Sequence, residues 1–141
     1  MAVVSRFTEL RVYQHSFDLA MRIYSLSKRW AAEERFSLTD QIRRSSRSVC
    51  GCVAEAWKKR QYPNHFMSKL IDADAEVAET QNWLKFAAAC GYLTAEDLEA
   101  LWQQYEEVSG GLAIMMAQSD KWCGYGKSIH EPDADYSISP T

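Results

Sequence analysis

Proline is almost absent from most of this chain. Three prolines occur among its 141 residues, and two of them, Pro132 and Pro140, fall within the last ten. Because proline breaks helices, its scarcity leaves room for long uninterrupted ones. Strand-like alternation and the Asn-Gly and Asp-Gly pairs that mark tight hairpins are also missing before the last ten residues. These absences argue against a sheet protein and favour an all-α fold.

Long apolar runs are missing as well. No stretch approaches the roughly 18 residues that a membrane-crossing helix needs. The first six residues contain no apolar segment of signal-peptide length, so we expect a cytoplasmic protein without a membrane partner. In that compartment the thiols stay reduced and pack as small apolar groups. We expect this of all four cysteines, which are Cys50, Cys52, Cys90 and Cys123.

The signatures of catalytic and metal sites are equally sparse. The three histidines are scattered, and neither Glu-x-x-His nor His-x-x-Glu occurs, which excludes the carboxylate-bridged di-metal site of helical bundles. Cys50 and Cys52 are two residues apart, so on a helix they point in different directions and cannot easily share a zinc ion. No glycine-rich phosphate loop or Gly-x-Ser-x-Gly motif occurs. We expect no catalytic residue, no metal, no cofactor, no small-molecule substrate and therefore no enzyme.

Helical spacing of apolar residues appears four times in what the chain does contain. It predicts helices at about residues 8–30, 38–60, 63–90 and 95–121. Since the connections are short, consecutive helices should lie antiparallel. Residues 1–123 are thus expected to form an antiparallel up-down-up-down four-helix bundle, and residues 124–141 a flexible tail. The bulk composition, 47% hydrophobic and 25% charged, fits one globular domain.

Capping residues and apolar stripes define each predicted helix. Ser37 and Thr94 are expected N-caps, Pro63 suits a first helical position, and Gly91 suits a helix end. The expected inner face of the first helix comprises Leu10, Tyr13, Phe17, Ala20, Met21 and Tyr24. That of the second comprises Leu38, Ile42, Ser45, Val49, Cys52, Val53 and Ala56, and that of the third Phe66, Leu70, Ala73, Val77, Leu84 and Ala87. Gly110 and Gly111 indicate either a bend in the fourth helix or close packing against it.

Charge is divided unevenly along the chain. Residues 1–60 contain 12 Lys and Arg against 6 Asp and Glu, whereas residues 61–141 contain 4 against 13. The second helix contributes most of the basic excess through Arg43, Arg44, Arg47, Lys58, Lys59 and Arg60. Phosphate contacts by these side chains would give salt-sensitive nucleic-acid binding. The alternative is that they pair with acids, namely Glu55 of the same helix or Asp72, Asp74, Glu76 and Glu79 of the third.

Five tryptophans are more than a small core usually holds. Trp57 and Trp83 fall outside the predicted inner faces. Large aromatic side chains are enriched at subunit contacts, so we expect a homo-oligomer in which these two rings lie between copies. Packing of all five rings within one chain is the alternative.

Four segments resemble a known family. They are residues 10–14 (Leu-Arg-Val-Tyr-Gln), 37–49 (Ser-Leu-Thr-Asp-Gln-Ile-Arg-Arg-Ser-Ser-Arg-Ser-Val), 54–55 (Ala-Glu) and 91–93 (Gly-Tyr-Leu). The pattern is similar to that of the small bacterial four helix bundle proteins. These include proteins encoded by intervening sequences in 23S ribosomal RNA genes, also called S23 ribosomal proteins, and the accessory variability determinant of diversity-generating retroelements. One departure is clear: where the family reads Ser-Val-Pro-x-Asn-Ile-Ala-Glu-Gly, residues 48–56 read Ser-Val-Cys-Gly-Cys-Val-Ala-Glu-Ala.

The resemblance implies a ring-like homo-oligomer, a pentamer in known members, that works with RNA or DNA and in the retroelement case with a reverse transcriptase. The positions that the resemblance singles out as candidates for such a role are Gln41, Arg43, Arg44, Ser48 and Glu55. Together with the basic second helix, it predicts a non-enzymatic accessory or scaffold protein that contacts nucleic acid. The alternative is a protein-interaction hub with no nucleic-acid role, whose arginines serve subunit contacts.

Overall fold

A computed structural model describes residues 4–123, and these are helical without any strand. The described elements are α1 (Arg11–Ser27), α2 (Leu38–Lys58), α3 (Pro63–Ala89), α4 (Ala95–Ala117) and the short α5 (Ser119–Trp122). The predicted tail at residues 124–141 lies outside the described residues. The all-α expectation is confirmed.

The four long helices pack side by side in chain order. α1 contacts α2, α2 contacts α3, α3 contacts α4, and α4 returns to α1, whereas α1 and α3 occupy opposite corners. Side-chain contacts show the directions: Ser16 of α1 meets Cys50 of α2 at 3.5 Å, while Ser27, at the other end of α1, meets Arg43 at 2.9 Å. Neighbouring helices therefore run antiparallel, as the short connections predicted.

Local chemistry explains where the helices begin and end. Thr94 caps α4 by accepting a hydrogen bond from the backbone N–H of Asp97 at 3.0 Å. At the start of α2, Ser37 instead donates its hydroxyl to Glu34, and that carboxylate accepts from the N–H of Leu38. These contacts, that from Ser37 foremost, lower the pKa of Glu34. The expected Ser37 cap is thus replaced by a glutamate one turn earlier.

Gly91 ends α3 in the way its position predicted. Its φ of 83° lies in the left-handed region that glycine enters at no steric cost. The N–H of Tyr92 donates to the carbonyl of Ala87 at 2.8 Å, and the N–H of Gly91 donates to that of Ala88 at 3.0 Å. This pair of bonds is the Schellman arrangement, which satisfies two of the last helical carbonyls.

The predicted inner faces of α2 and α3 are confirmed. Every residue on those two lists is buried, including Ile42, Val53, Phe66 and Leu84 at 1% exposure or less. α2 also runs unbroken through residues 48–56, where the chain departs from the family pattern. The substituted segment therefore introduces no kink.

The predicted inner face of α1 is wrong by about a quarter turn. Its buried residues are Val12, Ser16, Leu19, Ala20, Ile23 and Ser27, so only Leu10, just before the helix, and Ala20 of the expected stripe lie inside. Phe17 and Met21 are 47% and 48% exposed. The two buried serines cost little because Ser16 donates to the carbonyl of Val12 and Ser27 to that of Tyr24. Their small size lets α1 approach α2 closely.

The paired glycines of α4 differ in their surroundings. α4 is continuous through both, and a Cβ added at Gly111 would lie 2.7 Å from Cγ1 of Val12 in α1. Of the two alternatives for the paired glycines, a bend or close packing, close packing is therefore the one that applies at Gly111. A Cβ at Gly110 would have nothing within 4 Å.

This contrast gives a matched prediction for stability. Gly110→Ala should raise the free energy of unfolding by roughly 0.5–1 kcal/mol, because alanine is the better helix former. Gly111→Ala should lower it by about 1–3 kcal/mol, because the valine rotamer is stiff and α1 must shift. Urea unfolding of the two variants measures both signs. Equal effects of the two substitutions would show that α1 does not pack on Gly111.

No helix within residues 4–123 combines the length and the apolar character that crossing a bilayer demands.

Candidate nucleic-acid interface

The six basic residues predicted on α2 separate into three groups, which are Arg44 with Arg60, Arg43 with Arg47, and Lys58 with Lys59. Arg44 belongs to the first, because its Nη2 lies 2.8 Å from both carboxylate oxygens of Glu79 and its Nη1 lies 3.6 Å from Glu76. The hydrogen bond to Glu79 raises the pKa of Arg44. A hydrogen bond with Glu76, together with Arg44, lowers the pKa of Glu79. Arg44 is therefore engaged by α3, as the pairing alternative proposed.

Arg60 also belongs to the first group. Its side chain is only 7% exposed, and its guanidinium carbon lies 3.4 Å from the centre of the Trp57 ring. Its Nε donates to the backbone carbonyl of Trp57 at 2.8 Å. A head group held this way packs against the bundle, which corrects the expectation that Arg60 faces phosphate.

Arg43 and Arg47 form the second group together with a residue that the sequence reasoning missed. Their guanidinium carbons lie 4.8 and 5.8 Å from the centre of the Tyr24 ring in α1, and Lys28 Nζ lies 4.8 Å from the same centre. The spacing of four residues between Tyr24 and Lys28 was the available signal. Three cations thus surround one half-buried aromatic ring.

This group makes no salt bridge to a carboxylate of residues 4–123. Arg43 is held in place by neutral groups: its Nε donates to the hydroxyl of Ser27 at 2.9 Å, and Nη2 lies 3.5 Å from the carbonyl of Tyr24. Positive charge here is therefore positioned but not neutralised by the described part of the chain.

Lys58 and Lys59 lie exposed at the end of α2, also without a salt bridge inside the described range. Residues four and eleven apart share one side of a helix, so Lys58 continues the line of Arg43 and Arg47. It lies about 16 Å beyond Arg47 along the axis. We call Arg43, Arg47 and Lys58 the basic row. Small residues, Gly51 and Ala54, separate its two ends.

The acids of the pairing alternative, which are Glu55 of α2 and four residues of α3, have partners outside the basic row. Glu55 and Asp72 contact Lys69, at 3.4 and 3.6 Å from its Nζ. Asp74 accepts a hydrogen bond from Ser109 of α4. Burial raises the pKa of Glu76, which accepts from Ser48. The acidic series is thus divided among partners in α2, α3 and α4 and does not reach the basic row.

The two tryptophans predicted at subunit contacts have different surroundings. Trp57 is 3% exposed and packs edge-on against Trp122 of α5, with ring centres 5.8 Å apart. Its burial within its own chain corrects the expectation for that ring. Trp83 is half-buried and lies 5.8 Å from Phe86, whose side chain is 53% exposed.

Large apolar side chains are exposed at opposite corners of the bundle. On α1 they are Phe17 and Met21, which we call the α1 patch. On α3 they are Phe86 and, about 22 Å away along the helix axis, Ile71 at 55% exposure. We call these two residues together the α3 patch. The ring of Phe17 also stacks on that of Tyr13, with centres 6.1 Å apart.

Within residues 4–123, no cluster of three or more histidine, cysteine or acidic side chains is placed to hold a metal ion. Burial raises the pKa values of the Cys50 and Cys52 thiols, which disfavours the reactive thiolate.

Two comparisons with known proteins give a match. The 23S rRNA-intervening sequence protein family matches residues 8–113. In structure, the chain is similar to a protein of unknown function from the S23 ribosomal protein family of Bacteroides thetaiotaomicron VPI-5482. The two are 30% identical with a TM-score of 0.67, over 75% of this chain and 95% of that chain. No curated protein matches in sequence.

Proposed function

Because the chain belongs to the 23S rRNA-intervening sequence protein family, we propose that it is a non-enzymatic accessory protein that binds nucleic acid. The observation that carries the proposal is the cluster of Lys28, Arg43 and Arg47 around Tyr24, without a carboxylate partner among residues 4–123. The basic row extends this charge along α2.

The physical basis is that cations fixed in place without a carboxylate partner keep their full charge for an external anion. Arg44, adjacent in sequence to Arg43, takes a bidentate partner from α3. Arg43 and Arg47 instead point toward α1, where aromatic and hydroxyl groups orient them without cancelling their charge. Phosphates of a nucleic-acid backbone would supply the missing anions, and binding would release counterions.

The test removes the basic row and compares it with a matched control. Arg43→Gln/Arg47→Gln/Lys58→Gln should weaken binding of single-stranded RNA roughly a hundredfold at 0.1 M salt, because each lost contact contributes about 0.7 to the slope of log K against log salt. The control variant, Arg11→Gln/Lys85→Gln/Lys121→Gln, also loses three positive charges, but at positions outside the basic row. It should bind single-stranded RNA nearly as well as the parent chain. Filter binding at several salt concentrations measures both. Equal weakening of the two variants would contradict a defined interface.

We also propose that the protein assembles into a ring-like homo-oligomer. The α1 patch and the α3 patch lie on helices at opposite corners of the bundle. Two different patches on opposite sides favour a head-to-tail contact, in which the α1 patch of one copy meets the α3 patch of the next, and such contacts form rings when the rotation closes. The ring of Trp83 lies next to Phe86 of the α3 patch, so we include Trp83 in this proposed contact between copies.

The exposed apolar patches also support a second function, that of a protein-interaction scaffold without nucleic acid. A partner protein, such as a reverse transcriptase, would then occupy one of these patches in place of a second copy of the chain. Normal partner binding by the basic-row variant, with no RNA retention by the parent chain at low salt, would favour this function over the first.

A further inference from the structure

A second positively charged feature lies where α1 turns into α2. A cavity of about 200 Å³ opens there, lined by the end of α1, the connecting loop and the first turns of α2. Its basic lining residues are Lys28, Arg35 and Arg43. No acidic residue lines it. Glu34, which precedes Arg35, is occupied by Ser37 and Tyr92 and does not line the cavity.

Neutral hydrogen-bonding groups complete the lining. Ser27 and Thr39 are both nearly buried, and Ser27 holds Arg43 in place at 2.9 Å. Trp30 also lines the cavity, and its indole N–H is a buried donor that lacks a partner in the same range. Buried donors without partners are uncommon, so the indole N–H of Trp30 is a group that a ligand in this cavity could satisfy.

The size of the cavity restricts what it can accept. Its volume is several times the roughly 30 Å³ that one water occupies in the liquid, but below the roughly 300 Å³ at which pockets for drug-sized molecules begin. It therefore suits one small oxyanion rather than a whole nucleotide. A guanidinium matches phosphate geometry with two parallel hydrogen bonds, and Arg35 provides such a group. Arg43 already donates from Nε and Nη2 to Ser27 and Tyr24, and it adds the donors of Nη1.

We propose that this cavity binds a single phosphate group, with Arg35 and Arg43 as the principal donors and Lys28 and Thr39 as supporting ones. The group could belong to the end of a nucleic-acid strand or to a small phosphate compound. The site shares Lys28 and Arg43 with the cluster around Tyr24, and it does not include Arg47 or Lys58 of the basic row. It does not require the proposed function to be correct.

Inorganic phosphate is the first probe. Titration calorimetry with the full chain should show saturable binding of phosphate that chloride at matched ionic strength does not produce. Arg35→Gln should weaken that binding about tenfold or more, as expected for the loss of a charged hydrogen-bond donor. Arg29→Gln removes the same charge from a nearby exposed position outside the lining and should change affinity less than twofold. Absence of saturable binding, or equal weakening by both variants, would overturn the site.

Oligonucleotides then distinguish the two sources of phosphate. If the ligand is a strand end, a 5′-phosphorylated RNA should bind more tightly than its 5′-hydroxyl form, and Arg35→Gln should abolish the difference. If phosphate binds but the two RNAs behave alike, the site accepts small phosphate compounds. Arg47→Gln/Lys58→Gln leaves the cavity lining intact, so loss of RNA binding in that variant with unchanged phosphate binding separates the two proposals. Should the parent chain bind phosphate and no RNA, only the proposed function falls.

Discussion

Replacement of Trp57 with alanine should lower the free energy of unfolding by about 3–5 kcal/mol, the usual cost of deleting a large buried aromatic ring. The ring is 3% exposed and contacts the edge of Trp122. Its removal opens a cavity at the end of the bundle. It also removes the surface on which Arg60 stacks at 3.4 Å. Urea unfolding followed by circular dichroism measures the loss, and an unchanged m-value shows that it reflects stability alone.

Trp83→Ala is the matched control for this prediction. The same side chain is deleted from α3, where the ring is half-buried and its neighbour Phe86 is 53% exposed. The loss in the isolated chain should be clearly smaller. If Trp83→Ala proved as costly as Trp57→Ala, the burial assigned to the two rings would be incorrect.

The different positions of these two rings show what periodicity cannot predict. Both fall outside the stripes that run along α2 and α3, so the sequence suggested one role for both. Trp57 lies in the last turn of α2, where α5 supplies Trp122 as a partner. That contact joins residues 65 positions apart. A stripe drawn along one helix contains no information about a separate short helix that closes the end of the bundle.

The rotation of α1 has a related cause. This helix contains two apolar stripes, and the more aromatic one was expected inside. The structure buries the other, which includes Ser16 and Ser27, because these serines bond to their own helix and allow close contact with α2. α2 contains one dominant apolar stripe, so its inner face was predicted correctly. The inner face of α3 was also predicted correctly, although Ile71 and Phe86 lie outside its buried stripe.

The location of the candidate interface on α2 could be predicted from the sequence, but the residues that form it could not. The basic excess on α2 is evident in the sequence, and so are the acids of α3. Which arginine pairs with which helix depends on rotation: Arg43 and Arg44 are adjacent and therefore point about 100° apart, one toward α1 and the other toward α3. Lys28 joined the cluster only because α1 is rotated to place Tyr24 beside α2.

Polar replacement of the α1 patch should abolish assembly without unfolding the chain. Phe17→Gln/Met21→Gln substitutes two side chains that are about half exposed, so the isolated bundle should keep its helical spectrum. An interface that must bury two unpaired amides is strongly disfavoured. Light scattering should show the parent chain as an oligomer and the variant as a monomer. Phe36→Gln, at a side chain that is 86% exposed and belongs to neither patch, should leave the parent mass unchanged.

Mixing variants tests whether the contact is head-to-tail. Ile71→Gln/Phe86→Gln removes the α3 patch and should also give a monomer. Each variant keeps the patch that the other lacks, so an equimolar mixture should form one intact contact per pair and therefore a dimer, but no ring. A contact between two identical α1 patches would instead leave Ile71→Gln/Phe86→Gln dimeric on its own, and mixing would add nothing. A parent chain that is monomeric at micromolar concentration would exclude both arrangements.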